Sequence, residues 1–362
     1  MRRRDASPSG ADEAAGLAGP AAIADAADLA DAGAAQAASR AALIALDWGT
    51  TSLRAYLFGA SGDVLATRTS PAGIMNLPAA PEAGGFDAAF DDACGAWLAV
   101  APALPVIAAG MVGSAQGWVQ APYVETPASA DALAAAVVRV QSARGATIAV
   151  VPGVLEPGAL PNVMRGEETQ IVGALHADDD GAADGPSRAS ALICLPGTHA
   201  KWVKVEGGRI ERFHTFMTGE VYAALTGHTI LGRTMKRPAE PDLAAFARGV
   251  TVAREHGAAG LLATAFSSRT LALTGQLAAD EQPDYLSGLL IGHELAGLAA
   301  VLASRGVALS ASEPRLIGTD ALCERYRAAL AQFGCTHARL VRHATERGLW
   351  RIATRAGLVT SA

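Results

Sequence analysis

The pattern of apolar and polar positions changes character at residue 41. Beyond it, three short apolar runs, residues 42–47, 52–58 and 63–69, are separated by "WGT" and "GASGD". Short apolar runs bounded by Gly and Asp are typical of strands joined by tight hairpin turns. The pattern therefore predicts an antiparallel sheet of three strands at the start of the folded chain.

Helical and strand patterns then follow one another. Residues Phe86 to Ala99 have the spacing of a helix, and the run "LPVIAAG" predicts a strand that ends at Gly110, before the glycine-rich loop "GMVGSAQGW". A further strand, "ATIAVVPG", precedes an amphipathic helix that opens at Arg165 and Gly166. Strands followed by helices are typical of an α/β domain.

The second half of the chain repeats this opening in outline. After the acidic stretch from Ala177 to Ala189 come a strand "ALICLPG", a turn "GTHA", a strand "KWVKV", a turn "EGG" and a strand "RIERFHTF". The rest is mostly helical, with "DYLSGLLIGHELAGLAAVLA" as the longest helix, a late strand that ends at Gly318, and a closing "ERGLWRIATRAG". Because both halves open with the same succession of elements, we predict an internal duplication: two α/β domains, residues 41–185 and 186–362, with a nucleotide-sized cleft between them.

Composition narrows the class of protein. Residues 1–40 are Ala-rich with "RRR" near the start and scattered acids, so we predict a disordered or weakly helical extension rather than a targeting sequence. The net charge of −6 offers no field for nucleic acid, and no continuous apolar run approaches the roughly 20 residues that span a bilayer. The 4 cysteines lie far apart, which favours buried side chains in a reducing cytosol over a zinc site. We therefore expect a cytoplasmic protein without nucleic-acid or membrane partners, and the sequence leaves a homodimer open.

The two hairpin turns carry the candidate chemistry. A turn that contains Gly and Thr offers backbone N–H groups and hydroxyl donors to phosphate oxygens, and an Asp just before it can hold a hydrated Mg²⁺. Asp47 stands before Gly49, Thr50 and Thr51 in the first turn, and Gly197, Thr198 and His199 form the second, about 150 residues later. Facing each other across a cleft, the two turns would hold a triphosphate from both sides. The chain has no P-loop, no dinucleotide-binding GxGxxG, no GxSxG elbow and no HExxH pair.

Several of these residues also have a structural interpretation. Asp47 can cap its own turn, and His199 can be a packed side chain with one satisfied nitrogen. Lys201 and Trp202 can simply belong to the following strand. Arg54 can reach either a substrate or a surface carboxylate.

Six motifs together resemble one enzyme family. "DWGTTSLRA", "AGMVGSAQGW", "NVMRGEETQ", "LPGTHAKWV", "FMTGE" and "YLSGLLIG" are similar to the motifs of the 2-dehydro-3-deoxygalactonokinases, within the actin, sugar-kinase and heat-shock chaperone superfamily. The resemblance extends over residues 42 to about 358. It implies two actin-like ATPase domains of ribonuclease H-like topology, with the nucleotide and the substrate in the cleft between them.

The resemblance also implies an activity. The expected reaction moves the γ-phosphoryl group of ATP, with Mg²⁺, to the 6-hydroxyl of 2-dehydro-3-deoxy-D-galactonate in galactonate catabolism. Two alternatives keep the fold: a kinase for another hexonate or hexose, and a non-catalytic nucleotide-binding regulator.

Individual roles follow from the same resemblance. Its motif positions make Glu167 the candidate general base, with Glu168 as the neighbour that the sequence leaves open; a helix N-terminus also favours carboxylates as caps. Gly318 and Thr319 resemble the adenosine-side turn. Candidate groups for the substrate and its carboxylate are Arg165, Gly110, Ser114, Gln116 and Arg54.

Overall fold

The computed structural model of the chain describes residues 36–175 and 190–360. The strands are β1 (Ala41–Trp48), β2 (Leu53–Gly59), β3 (Val64–Ser70), β4 (Val106–Gly110), β5 (Tyr123–Glu125), β6 (Val138–Gln141), β7 (Thr147–Val150), β8 (Gly153–Glu156), β9 (Asn162–Met164), β10 (Ser190–Leu195), β11 (Ala200–Glu206), β12 (Arg209–Phe216), β13 (Arg315–Leu316) and β14 (Arg339–Leu340). The helices are α1 (Gly85–Val100), α2 (Ala130–Ala135), α3 (Glu167–Ala174), α4 (Thr218–His228), α5 (Leu243–His256), α6 (Leu261–Thr264), α7 (Ser267–Leu273), α8 (Gln282–Ala303), α9 (Asp320–Gln332) and α10 (Ala344–Arg355). Most of the predicted extension and the acidic stretch from Ala177 to Ala189 lie outside the described residues. The prediction of a disordered extension up to residue 40 is wrong at its end, because residues 36–38 are helical and Ala37 and Ala38 are buried in the apolar core of the first sheet.

The first sheet has the strand order β3-β2-β1-β4-β7-β6. As the pattern predicts, β1, β2 and β3 form an antiparallel meander, while β4 and β7 add in parallel to β1. Within the apolar run "LPVIAAG", the strand begins only at Val106. Strand β6 is an antiparallel edge strand that the sequence pattern did not predict. The carboxyl ends of β1 and β4 lie side by side, since Trp48 pairs with Gly110.

The second sheet repeats the same connectivity in the order β12-β11-β10-β13-β14. Again three consecutive strands form an antiparallel meander, and two later strands add in parallel to the first of them. The predicted duplication is therefore confirmed at the level of topology. A small sheet of order β5-β8-β9, which the sequence pattern did not predict, follows the loop after β4.

Helices α3 and α10 cross between the two sheets. One apolar core contains side chains from both sheets, such as Leu43 and Val203, together with Ile171 of α3 and Leu349 of α10. The helices meet backbone to backbone, because a Cβ atom built on Gly348 would lie 1.9 Å from the carbonyl oxygen of Thr169. This close crossing fixes where α3 begins relative to each sheet.

The longest helix, α8, packs on α5 beside the second sheet. A Cβ atom on Gly288 would lie 1.9 Å from the carbonyl oxygen of Phe246, so the two helices touch through their backbones. By length and composition α8 could cross a membrane, but half of its apolar window is buried inside the protein. The buried polar residues Asp284 and Glu294 lie on it as well. The helix therefore has the position of a core helix.

Candidate active site

The first Gly-Thr turn joins β1 to β2. Gly49 N–H donates to the carbonyl oxygen of Ser52 over 2.9 Å, which closes the turn, and the side chains of Thr50 and Thr51 are exposed. Asp47 is partly buried, with its Oδ2 atom 3.8 Å from the guanidinium of Arg54. Burial raises the pKa of the Asp47 carboxyl, and Arg54 opposes that shift. Arg54 therefore lies beside a site carboxylate, and its contact with a substrate stays a prediction.

A segment that the sequence reading left unassigned braces this turn. Ile74 N–H donates to the Gly49 carbonyl over 3.1 Å, Met75 N–H to the Thr50 carbonyl over 3.0 Å, and the Asn76 side-chain amide to the Thr51 carbonyl over 3.2 Å. Gly73 lies so close that a Cβ atom there would be 2.4 Å from the backbone of Thr51. The turn is thus held by a second stretch of backbone.

The second Gly-Thr turn joins β10 to β11 and is braced by the first turn of α4. Glu220 N–H donates to the Thr198 carbonyl over 3.0 Å, and a Cβ atom on Gly219 would lie 2.6 Å from the Gly197 carbonyl oxygen. His199 is exposed and its Nε2 lies 2.5 Å from Glu220 Oε2, so it is paired at the surface and is not a packed side chain. The motif "FMTGE" therefore supports the turn "GTHA".

The start of α3 lies between the strand ends that carry the two turns. Gly166 has φ of 104°, a conformation that favours glycine, and a Cβ atom there would lie 3.2 Å from the Cα atom of Gly110. On its other side, Glu167 Oε1 is 3.4 Å from Lys201 Nζ, and Lys201 Nζ is 3.3 Å from the His199 carbonyl oxygen. This end of α3 therefore contacts both the β4 end, next to the first turn, and the second turn.

The two adjacent carboxylates have different surroundings. Glu168 is fully buried, and both of its oxygens accept the Gly166 N–H, at 2.9 and 2.7 Å, while Oε1 also accepts from the Thr169 hydroxyl. Glu167 keeps 26% of its side chain exposed and accepts the Arg165 N–H over 3.0 Å. Glu168 is a buried helix cap, whereas Glu167 has the accessible carboxylate.

The pKa of Glu168 is raised to about 7. Burial is the largest cause, and the negative charge of Glu167 is the second. A carboxyl group whose pKa is higher in the folded than in the unfolded protein stabilises the folded state. This stabilisation is complete at pH values below the unfolded-state pKa, and it is lost as the pH rises through the folded-state pKa. The free energy of unfolding should therefore fall by up to roughly 3 kcal/mol from this group between pH 4.5 and 7.5. Denaturant titrations across this range should show the fall in the wild type and a flatter profile in Glu168→Gln.

The exposed Glu240 offers a control, since Glu240→Gln should keep the wild-type profile. If the pH dependence of unfolding in Glu168→Gln equalled that of the wild type, Glu168 would be ionised in the folded protein across this pH range.

The predicted substrate loop folds against Arg165. One Arg165 nitrogen, Nη2, donates to the Ala121 carbonyl over 2.8 Å, and the guanidinium carbon lies 4.5 Å from the ring centroid of Tyr123. The Nε and Nη1 atoms of Arg165 and the Oγ atom of Ser114 are buried and have no hydrogen-bond partner in the described part of the chain. Gln116, by contrast, is exposed. Unpaired buried donors are costly, so each of these three atoms could bond an acceptor.

The predicted adenosine-side turn lies beside the second Gly-Thr turn. A Cβ atom on Gly318 would lie 3.6 Å from the Pro196 carbonyl oxygen, one residue before Gly197. Thr319 precedes α9 as its N-cap position and is exposed, although its side chain makes no capping bond. The late strand is only two residues long, shorter than its apolar run predicts.

Two acidic residues near the site were missed by the sequence reading. Glu346, in the first turn of α10, is close enough to raise the pKa of Asp47, after the larger effect of burial. Glu294 of α8 is buried and accepts from Trp202 Nε1 over 2.7 Å, from Tyr326 Oη over 2.8 Å and from the Thr218 hydroxyl. Its three donors lie on β11, α9 and α4, so Glu294 joins elements that carry or brace the second turn and the adenosine-side turn. Neither residue has a local sequence signal, because each partner is distant in the chain.

Comparison with known proteins identifies the family. The family model for 2-keto-3-deoxy-galactonokinase matches residues 47–352. A probable 2-dehydro-3-deoxygalactonokinase of Rhizobium meliloti is 40% identical over 298 residues, which cover 80% of this chain and 89% of that protein. The 2-dehydro-3-deoxygalactonokinase of Escherichia coli is 34% identical over 297 residues, covering 82% of this chain and 91% of that protein.

A solved structure agrees. The crystal structure of a protein from Sinorhizobium meliloti, provisionally named 2-dehydro-3-deoxygalactonokinase, superposes with a TM-score of 0.72 at 37% identity and covers 86% of this chain and 98% of that one. The predicted fold class, two actin-like ATPase domains around a cleft, is thereby confirmed, as are the predicted kinase class and the family resemblance. The chain belongs to the 2-keto-3-deoxy-galactonokinase family of sugar-acid kinases.

Proposed function

We propose that this kinase transfers the γ-phosphoryl group of ATP to the 6-hydroxyl of 2-dehydro-3-deoxy-D-galactonate, with Glu167 as the general base. The observation that carries the proposal is the position of the α3 N-terminus, which contacts the β4 end beside the first turn through Gly166 and the second turn through Glu167 and Lys201. A carboxylate at that point can take the hydroxyl proton of an acceptor bound between the turns. Phosphoryl transfer needs little else beyond positioning and neutralisation of charge.

The residues fit a nucleotide with a magnesium ion. No group of three or more His, Cys, Asp and Glu side chains that could hold a metal occurs among the described residues. Mg²⁺ in phosphoryl-transfer sites usually has one or two carboxylate ligands and completes its shell with water and phosphate oxygens, and Asp47 supplies such a carboxylate. When bound, the ion would neutralise phosphate charge, while Gly49, Thr50, Thr51, Gly197 and Thr198 contact the phosphates.

The acid group of the substrate has a candidate site of its own. In the described part of the chain, Arg165 and Ser114 carry buried donors without partners, and a hydrogen bond from a guanidinium to a carboxylate is stronger than one between neutral groups. We propose that these donors bind the C1 carboxylate and so favour a sugar acid over a hexose. A site built to bond a charged group rejects an analogue that lacks it, because its own donors are then left unpaired.

Turnover with ATP, Mg²⁺ and the sugar acid tests the activity, with ADP release as the readout. Rapid ADP formation with this acid and slow formation with hexoses is the expected result. A faster reaction with a neutral hexose would contradict the assignment of the acceptor, and no ADP formation with any acceptor would leave a nucleotide-binding regulator.

Replacement of Arg165 by Met should raise the KM for the sugar acid by about 10–100-fold, since hydrogen bonds to charged groups contribute roughly 1.5–3 kcal/mol. The dissociation constant for ATP should stay near the wild-type value, as isothermal titration can show. Arg68→Met gives a matched control, because Arg68 also lies over an aromatic ring, that of Trp97, at the first sheet. If the KM of Arg165→Met equals that of the wild type, the carboxylate binds elsewhere.

The proposed compartment is the cytoplasm. The described cysteines Cys94, Cys194, Cys323 and Cys335 are all free and buried, which suits a reducing environment. We further propose that the boundary between the two domains falls within residues 177–189, since β1 to β9 precede this stretch and β10 to β14 follow it.

A further inference from the structure

Lys201 is a charged residue at an apolar position of the second sheet. It is the second residue of β11, and Val203 and Val205, two and four residues further on, lie in the core between the sheets. Side chains on one strand face alternate sides, so Lys201 points to the same side as these valines, toward α3. Only 4% of Lys201 is exposed.

The packing of β11 does not require a lysine here. A buried ammonium loses its hydration, and replacing a buried ion pair by an apolar side chain of similar volume is often neutral or stabilising. The Lys201 ammonium has three N–H donors, and two of them have partners in the described structure: Glu167 Oε1 at 3.4 Å and the His199 carbonyl oxygen at 3.3 Å. The ammonium is therefore placed between the carboxylate of Glu167 and the second phosphate turn.

A group that passes from the second turn to an acceptor beside Glu167 must pass this ammonium. We propose that Lys201 is a catalytic residue that binds the phosphoryl group during its transfer. This inference rests on the proposed role of Glu167, and it goes beyond that role by assigning the cation that stabilises the moving group.

The ammonium gains a partner as the reaction proceeds. The bond between the acceptor O6 atom and the γ-phosphorus forms while the bond to the bridging oxygen breaks, and ADP leaves with that electron pair. The hydroxyl proton passes to Glu167, which thereby loses its negative charge. The third Lys201 N–H, which has no partner in the described structure, pairs with an equatorial oxygen of the phosphoryl group, and the pairing strengthens once Glu167 has lost its charge. Stabilisation that is strongest in the transition state raises kcat.

Three variants test the proposal in the full-length protein. Lys201→Met keeps the length of the side chain and removes its charge, and Lys201→Arg keeps the charge. Lys204→Met is the matched control, because Lys204 lies on the same strand but is half exposed and pairs with Glu206 at the surface. Lys201→Met should lower kcat by about 10²–10³-fold with a nucleotide dissociation constant close to the wild type. Lys201→Arg should recover part of kcat, and Lys204→Met should leave it unchanged.

A second readout separates a catalytic role from a structural one. ADP with aluminium fluoride imitates the phosphoryl group in transit, so aluminium fluoride should tighten ADP binding to the wild type and to Lys204→Met. In Lys201→Met this tightening should be lost, while ADP alone binds as before. Thermal melting of each variant shows whether it is folded, and the charge-preserving Lys201→Arg carries the comparison should Lys201→Met unfold.

The outcomes are distinct. Near-normal kcat in Lys201→Met, or full tightening by aluminium fluoride, would overturn the role of Lys201. Loss of ADP affinity without loss of tightening would make Lys201 a support of the turn and would also overturn it. Because the fluoride measurement can be made without any sugar acid, it still tests Lys201 when the proposed acceptor itself proves wrong.

Discussion

Replacement of Glu167 by Gln is expected to lower kcat by about 10²–10⁴-fold, the usual contribution of a positioned general base. The amide keeps the size of the side chain and can still accept the Arg165 N–H that Glu167 accepts over 3.0 Å. It cannot take the proton of the acceptor hydroxyl. The nucleotide should therefore bind with near-normal affinity, which equilibrium titration with ATP can measure beside steady-state kinetics.

Glu168→Gln is the matched control for this prediction. Its carboxylate is fully buried against the Gly166 N–H, so it cannot reach an acceptor without unwinding the start of α3. We expect this variant to keep most of kcat at neutral pH. If instead Glu168→Gln lost turnover and Glu167→Gln kept it, the assignment of the base would be reversed.

Replacement of Gly348 by Ala is expected to produce the largest loss of stability among the substitutions considered. The added Cβ atom would lie 1.9 Å from the carbonyl oxygen of Thr169, far inside any contact that real atoms make, so α10 must move away from α3. Overpacking of this kind typically costs about 1–3 kcal/mol or more. Calorimetry should show a melting temperature several degrees lower, and kcat should also fall because α3 carries Glu167.

A second glycine supplies the control for this experiment. Gly227 lies in α4 and has ordinary helical φ, and a Cβ atom added to it would have no neighbouring atom within 4 Å. Gly227→Ala should therefore be neutral or stabilise the protein by up to about 1 kcal/mol. Wild-type melting of Gly348→Ala would mean that the helices are not in contact as described.

The sequence was most informative where structure is local. The two turns, their flanking strands and the duplication could be predicted because hairpins and strand-to-helix transitions depend on residues that are near neighbours in the chain. The family resemblance added the kinase activity. It also named Glu167 and Glu168 as the two candidates for the general base. The roles of Asp47, Thr198 and the other site residues remain predictions.

The rest depended on distances that no local pattern contains. The contact of Lys201 with Glu167 requires both the register of β11 and the position of α3, and the approach of Glu346 to Asp47 joins residues that are about 300 positions apart. The short strands β5, β6, β8 and β9 were missed because they are three or four residues long and only partly apolar. Whether such short segments form strands depends mainly on tertiary contacts and only weakly on the β-propensity of their residues.

The brace on the first turn has an electrostatic consequence. Each peptide unit is a dipole with its negative end at the carbonyl oxygen, and the carbonyls of Gly49, Thr50 and Thr51 all accept bonds from the segment Ile74 to Asn76. Their negative ends are thus turned toward that segment and partly neutralised there. Under the proposed function, a polyphosphate would meet fewer repelling oxygens on the opposite side of the turn. The preference of this loop for anions would then depend on a stretch of chain that itself carries no charge.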